Sequence, residues 1–106
     1  MNPRLVVLAG LAETKTVALD LEEGASFVLG RDAECDLPIG NVAVSRSHCR
    51  IVRRDAESFF LEDLQSHNGT FVNALPVNSH PLENGDRITF GNSCLMFLSG
   101  EDDAFS

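Results

Sequence analysis

The sequence contains no tryptophan and no tyrosine, and only three of its 106 residues are cysteine. These are Cys35, Cys49 and Cys94. Their number is odd, they are widely spaced and they form no CxxC pair, so neither a disulfide framework nor a zinc ribbon is indicated. His48 and Cys49 are adjacent in a predicted strand, where their side chains would point to opposite faces. We therefore expect reduced, mostly buried thiols, no metal site and no cofactor.

Long apolar runs are also missing. No stretch approaches the roughly 20 apolar residues that cross a bilayer, and residues 1–4 do not begin a secretory signal. We therefore expect a cytoplasmic protein that does not enter a membrane.

Basic residues are scarce, at 8 against 16 acidic ones, and the net charge is −8. Nucleic acid and anionic membrane surfaces would be repelled, which argues against both as partners. Five of the eight basic residues nevertheless lie within one short part of the chain: Arg31, Arg46, Arg50, Arg53 and Arg54. This local cationic zone would suit a small, single anionic group.

The length predicts one domain, because the chain is too short for two independent cores. We place that domain at residues 1–98. Residues 99–106 are small and acidic, with Glu101, Asp102 and Asp103 in a row, and we interpret them as an acidic tail or the start of a linker to further domains.

Apolar and polar residues alternate with a period of two, which predicts β-strands with one buried face. This alternation covers residues 16–22, 58–62 and 87–90, and residues 4–9, 49–53 and 94–98 are further strand candidates. Turn sequences separate them at Glu23-Gly24, Asn84-Gly85-Asp86 and Gly91-Asn92. No window shows a helical stripe, so the pattern predicts an all-β sandwich or barrel.

Three polar clusters fall in the predicted loops, where binding residues are common. They are Gly30-Arg31, Ser45-Arg46-Ser47-His48 and Ser66-His67-Asn68-Gly69-Thr70, the last followed by Asn73. Together with the blocks Asp36-Leu37-Pro38-Ile39, Leu61-Glu62-Asp63-Leu64 and Gly85-Asp86-Arg87-Ile88, they resemble the forkhead-associated (FHA) domain family from about residue 27 to residue 98.

The resemblance implies an FHA-type (SMAD/FHA-like) β-sandwich of about eleven strands, with binding loops at one end. It implies a phosphothreonine-dependent module for protein–protein interaction in signalling, and no enzyme. The phosphopeptide-binding residues would be Arg31, Ser45, Arg46, His67 and Asn68. Gly30, His48, Gly69, Thr70 and Asn73 would brace the loops.

The chemistry of these residues agrees with that role. A phosphate monoester carries about −1.5 to −2 charges and three acceptor oxygens, which a guanidinium fork such as Arg31 can match. Ser45 adds a hydroxyl donor, and backbone N–H groups of residues 45–47 could add more. The amide of Asn68 can both donate to and accept from the main chain of a bound peptide.

Each residue also has a structural explanation. Arg31 could be a surface arginine paired with Asp32 or Glu34, and Ser45 could cap its own backbone turn. Asn68 could be a left-handed turn residue before glycine.

Two positions depart from the family pattern. His67 replaces a small hydroxyl residue that commonly touches the phosphate, and as imidazolium it could still donate a hydrogen bond. Ala74 replaces the glycine that often follows the second asparagine, which puts the shape of that loop in doubt.

Two other functions compete with this interpretation. Ser45, His48 and Asp63 could be imagined as a hydrolytic triad, but no oxyanion-hole motif accompanies them. The serious alternative is a phosphate-independent interaction or self-association module, in which a sheet face binds the partner and the loops are only structural.

Overall fold

The computed structural model describes residues 2–11 and 15–100, and the predicted acidic tail from Glu101 onward lies outside these residues. The described chain contains eleven strands and no helix. The strands are β1 (Arg4–Ala9), β2 (Thr16–Ala18), β3 (Ser26–Gly30), β4 (Leu37–Pro38), β5 (Cys49–Arg53), β6 (Phe59–Asp63), β7 (Thr70–Val72), β8 (Leu75–Val77), β9 (Ser79–Pro81), β10 (Arg87–Phe90) and β11 (Ser93–Leu98).

The strands form two sheets. One sheet has six strands in the order β2-β1-β11-β10-β7-β8, and the other has five in the order β4-β3-β5-β6-β9. Neighbouring strands in the two sheets are antiparallel, except β3 and β4, which are parallel. The predicted all-β sandwich of about eleven strands is confirmed.

The core lies between the two sheets because buried apolar residues alternate with less buried ones along strands such as β3, β5 and β10. On β5, Cys49 and Ile51 are buried while Arg50 is half-buried. Phe59 of the five-stranded sheet meets Phe97 of the six-stranded sheet with ring centroids 5.6 Å apart. Close packing of this kind fixes the position of one sheet relative to the other. It thereby fixes the positions of the loops at the ends of the strands.

The two ends of the described chain lie together, away from the predicted binding loops. Arg4 pairs with Leu98 in the β1–β11 register, and Asn2 N donates to Ser99 O at 3.4 Å. The other end of β11 follows Gly91, where an added Cβ would lie 3.0 Å from Val44. Ser99 and Gly100 both donate from their backbone N–H groups to Asn84 Oδ1.

Asn73 and Ala74 form a two-residue turn between β7 and β8, which pair from Val72 and Leu75 outward. Both turn residues have positive φ, 50° and 70°, as a type I′ hairpin turn requires. Asparagine tolerates this conformation and alanine does not favour it. The hairpin closes all the same, so alanine in place of the usual glycine has not abolished the turn.

We expect Ala74→Gly to raise the free energy of unfolding by about 0.5–1 kcal/mol. The substitution removes the cost of a left-handed alanine, and the greater freedom of glycine in the unfolded chain offsets part of that gain. Urea unfolding followed by circular dichroism measures the change. Ala33→Gly is the matched control, because the φ of Ala33 is not positive, and it should lower stability slightly. A destabilised Ala74→Gly would contradict this account of the turn.

Candidate functional site

Arg31 follows directly after β3 and is held in place by the next loop. Its N–H donates to Ser45 O at 2.9 Å, and its Nε donates to Val44 O at 3.0 Å. No carboxylate among the described residues forms an ion pair with it, so the alternative of pairing with Asp32 or Glu34 is not observed. The two terminal nitrogens of the guanidinium are therefore available to a ligand.

Gly30 allows the β3 end to approach the same loop. A Cβ at this position would collide with the carbonyl oxygen of Arg46. Asp32 N also donates to that oxygen, at 3.1 Å. A larger residue at position 30 would therefore push away the segment that carries Ser45 and Arg46.

Ser45 and Asn68 connect the loop before β5 with the third polar cluster. Ser45 Oγ accepts from His67 N at 3.0 Å, and Asn68 Nδ2 donates to Ala43 O at 2.8 Å. The hydroxyl of Ser45 therefore serves a different loop and does not cap its own turn, and its proton remains to be donated. Asn68 does not have positive φ, whereas Gly69 does, at 87°.

His48 is fully buried behind these loops. Its Nδ1 accepts from Ser45 N at 3.0 Å, so the other nitrogen, Nε2, carries the proton and donates to Gly69 O at 2.8 Å. Its ring stacks on Phe90 with centroids 4.8 Å apart. Since Ser45 N is used in this way, only Arg46 and Ser47 of the 45–47 loop can offer backbone N–H groups to a phosphate.

Asp63 is a second bracing residue, which the sequence suggested only as part of a hydrolytic triad. Its Oδ1 accepts from Ser66 Oγ and from Thr70 Oγ1, and its Oδ2 accepts from Ser66 N at 3.0 Å. Gly69 N in turn donates to Ser66 Oγ at 3.0 Å. Asp63 contacts neither Ser45 nor His48 through these bonds, so the three residues do not have the triad geometry.

The loops that these contacts hold together border an open cavity of about 210 Å³, which we call the loop cavity. Its lining comes from all three loops: Arg31, Val42, Ala43, Val44, Ser45, His67 and Asn68. Arg46 is exposed and follows Ser45 directly. The structure thus brings four of the five predicted binding residues to one cavity, and Arg46 is not among its lining residues.

Asn73 lies elsewhere. Its Nδ2 donates to Asp86 Oδ1 at 2.9 Å, and its Oδ1 accepts from Arg87 N at 3.0 Å. These contacts are at the opposite end of β7 from Thr70, so Asn73 joins the β7–β8 turn to the start of β10 and does not contact the loop cavity.

Three of the five clustered arginines are already engaged. Arg50 and Arg54 donate to the carboxylate of Glu62 at 2.8 and 3.3 Å. Arg53 donates to the carbonyl oxygens of Leu21, Asp55 and Ala56. Arg31 and Arg46 form no ion pair with the described residues, and of the five arginines Arg31 lines the loop cavity.

All three cysteines are free. Burial raises the pKa of the Cys49 thiol to about 12, so this thiol is not a ready nucleophile. Cys35 and Cys94 are only half-buried, so the expectation of buried thiols holds fully for Cys49 alone. Within the described residues, no group of three or more metal-ligating side chains is placed to hold an ion. No helix in that part of the chain is long and apolar enough to span a membrane.

A family model and several known proteins match this chain. The FHA domain family model matches residues 27–91. An oxoglutarate dehydrogenase inhibitor from Corynebacterium jeikeium is 39% identical over 100 residues, covering 94% of this chain and 67% of that protein. The glycogen accumulation regulator GarA from Mycobacterium tuberculosis is 41% identical over 78 residues, covering 70% of this chain and 48% of its own length. The chain thus spans about half to two thirds of these relatives.

Solved structures show the same fold. A structure from a study of phosphothreonine-dependent FHA domain interactions has a TM-score of 0.79 and 33% identity, and covers 94% of this chain and 98% of its own. The FHA domain of FhaA, solved with the intracellular domain of another protein, has a TM-score of 0.74 and 35% identity, and covers 90% of this chain and 98% of its own.

Proposed function

Because this chain belongs to the FHA domain family, we propose that it is a phosphothreonine-dependent protein–protein interaction module. The observation that carries the proposal is the loop cavity, where Arg31 has a free guanidinium fork beside the hydroxyl of Ser45. A phosphate held there would accept from both groups, and such charge-assisted bonds are about twice as strong as neutral ones. Arg46 and His67 flank the phosphate in this proposal.

Asn68 holds the peptide beside the phosphorylated residue. One hydrogen of its amide is used by Ala43 O, and the remaining hydrogen and Oδ1 can bond to the main chain of an extended peptide. This fixes the register of the peptide without selecting a side chain. Gly30, His48, Gly69 and Thr70 hold the loops in position behind these contacts, and Asn73 holds the turn at the far end of β7.

The protein acts by binding and not by catalysis in this proposal. Two relatives are named as an inhibitor and a regulator, which supports a regulatory interaction. We place the FHA domain at residues 1–98, with further domains attached beyond it, and we place the protein in the cytoplasm. Free thiols are typical of a reducing compartment. The partner is a phosphothreonine-containing protein, with no nucleic acid or membrane involved.

Fluorescence anisotropy with dye-labelled peptide pools tests the function. A label is needed because the chain has no tryptophan or tyrosine. Degenerate pools centred on phosphothreonine, phosphoserine or threonine should bind in that order, with the first near the micromolar range, about −8 kcal/mol. Equal binding of the phosphorylated and unphosphorylated pools would replace this proposal with the phosphate-independent module.

A further inference from the structure

A second cavity, which we call the flanking depression, adjoins the loop cavity. It has a volume of about 550 Å³, and its walls include Asp63, Pro76, Val77 and Asn78. His67 and Asn68 line both cavities. A peptide held by Asn68 beside the phosphothreonine would therefore pass next to the flanking depression, which one of its side chains could enter.

The walls of this depression differ in chemistry. Pro76 and Val77 belong to β8 and present apolar surface. Asp63 presents a carboxylate that no arginine, lysine or histidine among the described residues pairs with. A carboxylate has about four lone-pair sites, and the structure fills three of them. One acceptor site is therefore left for a ligand.

The carboxylate of Asp63 is ionised at neutral pH. Burial acts to raise its pKa, but the hydrogen bonds from Ser66 and Thr70 outweigh burial and hold the pKa below its usual value. A negative charge in a partly enclosed site, next to apolar surface, favours a cation with an aliphatic stem.

Charges around the loop cavity disfavour acidic neighbours of the phosphothreonine. Asp32, Glu34 and Asp36 follow Arg31 in the chain and are exposed. The whole chain carries a net charge of −8. These charges oppose the approach of a phosphopeptide, and a basic residue beside the phosphothreonine would offset part of that repulsion.

We propose that the flanking depression binds a basic side chain, arginine or lysine, at one position beside the phosphothreonine of the partner. The aliphatic stem packs against Pro76 and Val77, and the charged head reaches Asp63. This inference rests on the proposed function, since it assigns a sequence preference to the same peptide.

The test uses phosphothreonine peptide pools in which one flanking position at a time is fixed as arginine, alanine or glutamate. Arginine at one position should strengthen binding about two- to fivefold over alanine, as expected for a partly exposed ion pair. Glutamate at that position should weaken it, and both effects should shrink at high salt.

Asn78→Lys is the diagnostic variant. Asn78 is exposed, and its side chain makes no hydrogen bond with the described residues, so a lysine there places a cation at the depression without disturbing the loops. Asp63→Asn is less suitable because Asp63 also braces the loop. Asn2→Lys makes the same change of charge at the far end of the molecule. Asn78→Lys should remove the preference for arginine at the selected position, and Asn2→Lys should keep it.

The possible results separate the two proposals. In one outcome, arginine raises the affinity equally at every peptide position, and equally for Asn78→Lys and Asn2→Lys. That result would show only long-range attraction to an acidic protein and would overturn the inference. Phosphate-dependent binding without any preference for arginine would also overturn it, and would leave the proposed function standing. An absence of phosphate-dependent binding in every pool would overturn both.

Discussion

Arg31→Ala is expected to weaken binding of a phosphothreonine peptide by about 2–5 kcal/mol, which is at least about thirtyfold in Kd. The guanidinium is anchored through Nε to Val44 O, so its two terminal nitrogens can bind a ligand with little further loss of side-chain freedom. Without it, a phosphate in the loop cavity would be partly desolvated and unpaired. Fluorescence anisotropy with the phosphothreonine pool measures the loss.

Two variants make the comparison specific. Arg54→Ala removes the same charge from an arginine that is paired with Glu62, and its effect on Kd should be less than about threefold. Arg31→Lys keeps the charge but not the fork, so its affinity should lie between the parent and Arg31→Ala. Equal losses in Arg31→Ala and Arg54→Ala would mean that net charge, and not the loop cavity, determines binding.

His48→Ala is expected to lower the free energy of unfolding by about 3–5 kcal/mol. The substitution leaves a cavity beside Phe90 and removes the partners of Ser45 N and Gly69 O, and each of these losses is costly in a buried position. Since small domains are stable by only about 5–15 kcal/mol, the variant should be near its folding limit at room temperature. Urea unfolding followed by circular dichroism in the cold gives the change.

His67→Ala is the control for this measurement. His67 is exposed and its side chain makes no hydrogen bond with the described residues, so its loss should change stability by no more than about 0.5 kcal/mol. If His48→Ala cost less than about 1 kcal/mol, the two loops would be held together by other contacts, and His48 would not be the residue that joins them.

Several strands were predictable from the sequence. The predicted strands 4–9, 49–53 and 87–90 coincide with β1, β5 and β10. Glycines with positive φ occur at all three predicted turns: Gly24, Gly85 and Gly91. Strands such as β4, β8 and β9 have two or three residues, which is too short for a period of two to be recognised.

One predicted strand was too long. The alternation over residues 16–22 continues past Ala18, where β2 ends. Leu19 N donates to Pro3 O and Leu21 N donates to Leu19 O, so the chain leaves the sheet and turns, while Leu19 still enters the core. An apolar residue can thus keep its place in the pattern after the strand has ended.

The family resemblance named four residues that line the loop cavity but not how they are joined. The bonds from His67 N to Ser45 Oγ and from Asn68 Nδ2 to Ala43 O link residues more than 20 positions apart, and no local pattern encodes them. The role of Asp63 was missed for another reason. Its spacing to Ser66 is typical of a side-chain-capped turn, and this signal could have identified it.

The positions of Asn2 and Gly100, beside one another and away from the loop cavity, determine how the molecule can be tethered. A tag, a surface or a neighbouring domain joined at either residue would leave the cavity facing outward. A phosphorylated segment joined at Gly100 could occupy the cavity of its own molecule only after passing back along β11, a distance of about 20 Å for six residues. A short linker would therefore favour binding of the phosphorylated segment to the cavity of another molecule. A longer linker would allow binding within the same molecule, at an effective concentration set by the linker length.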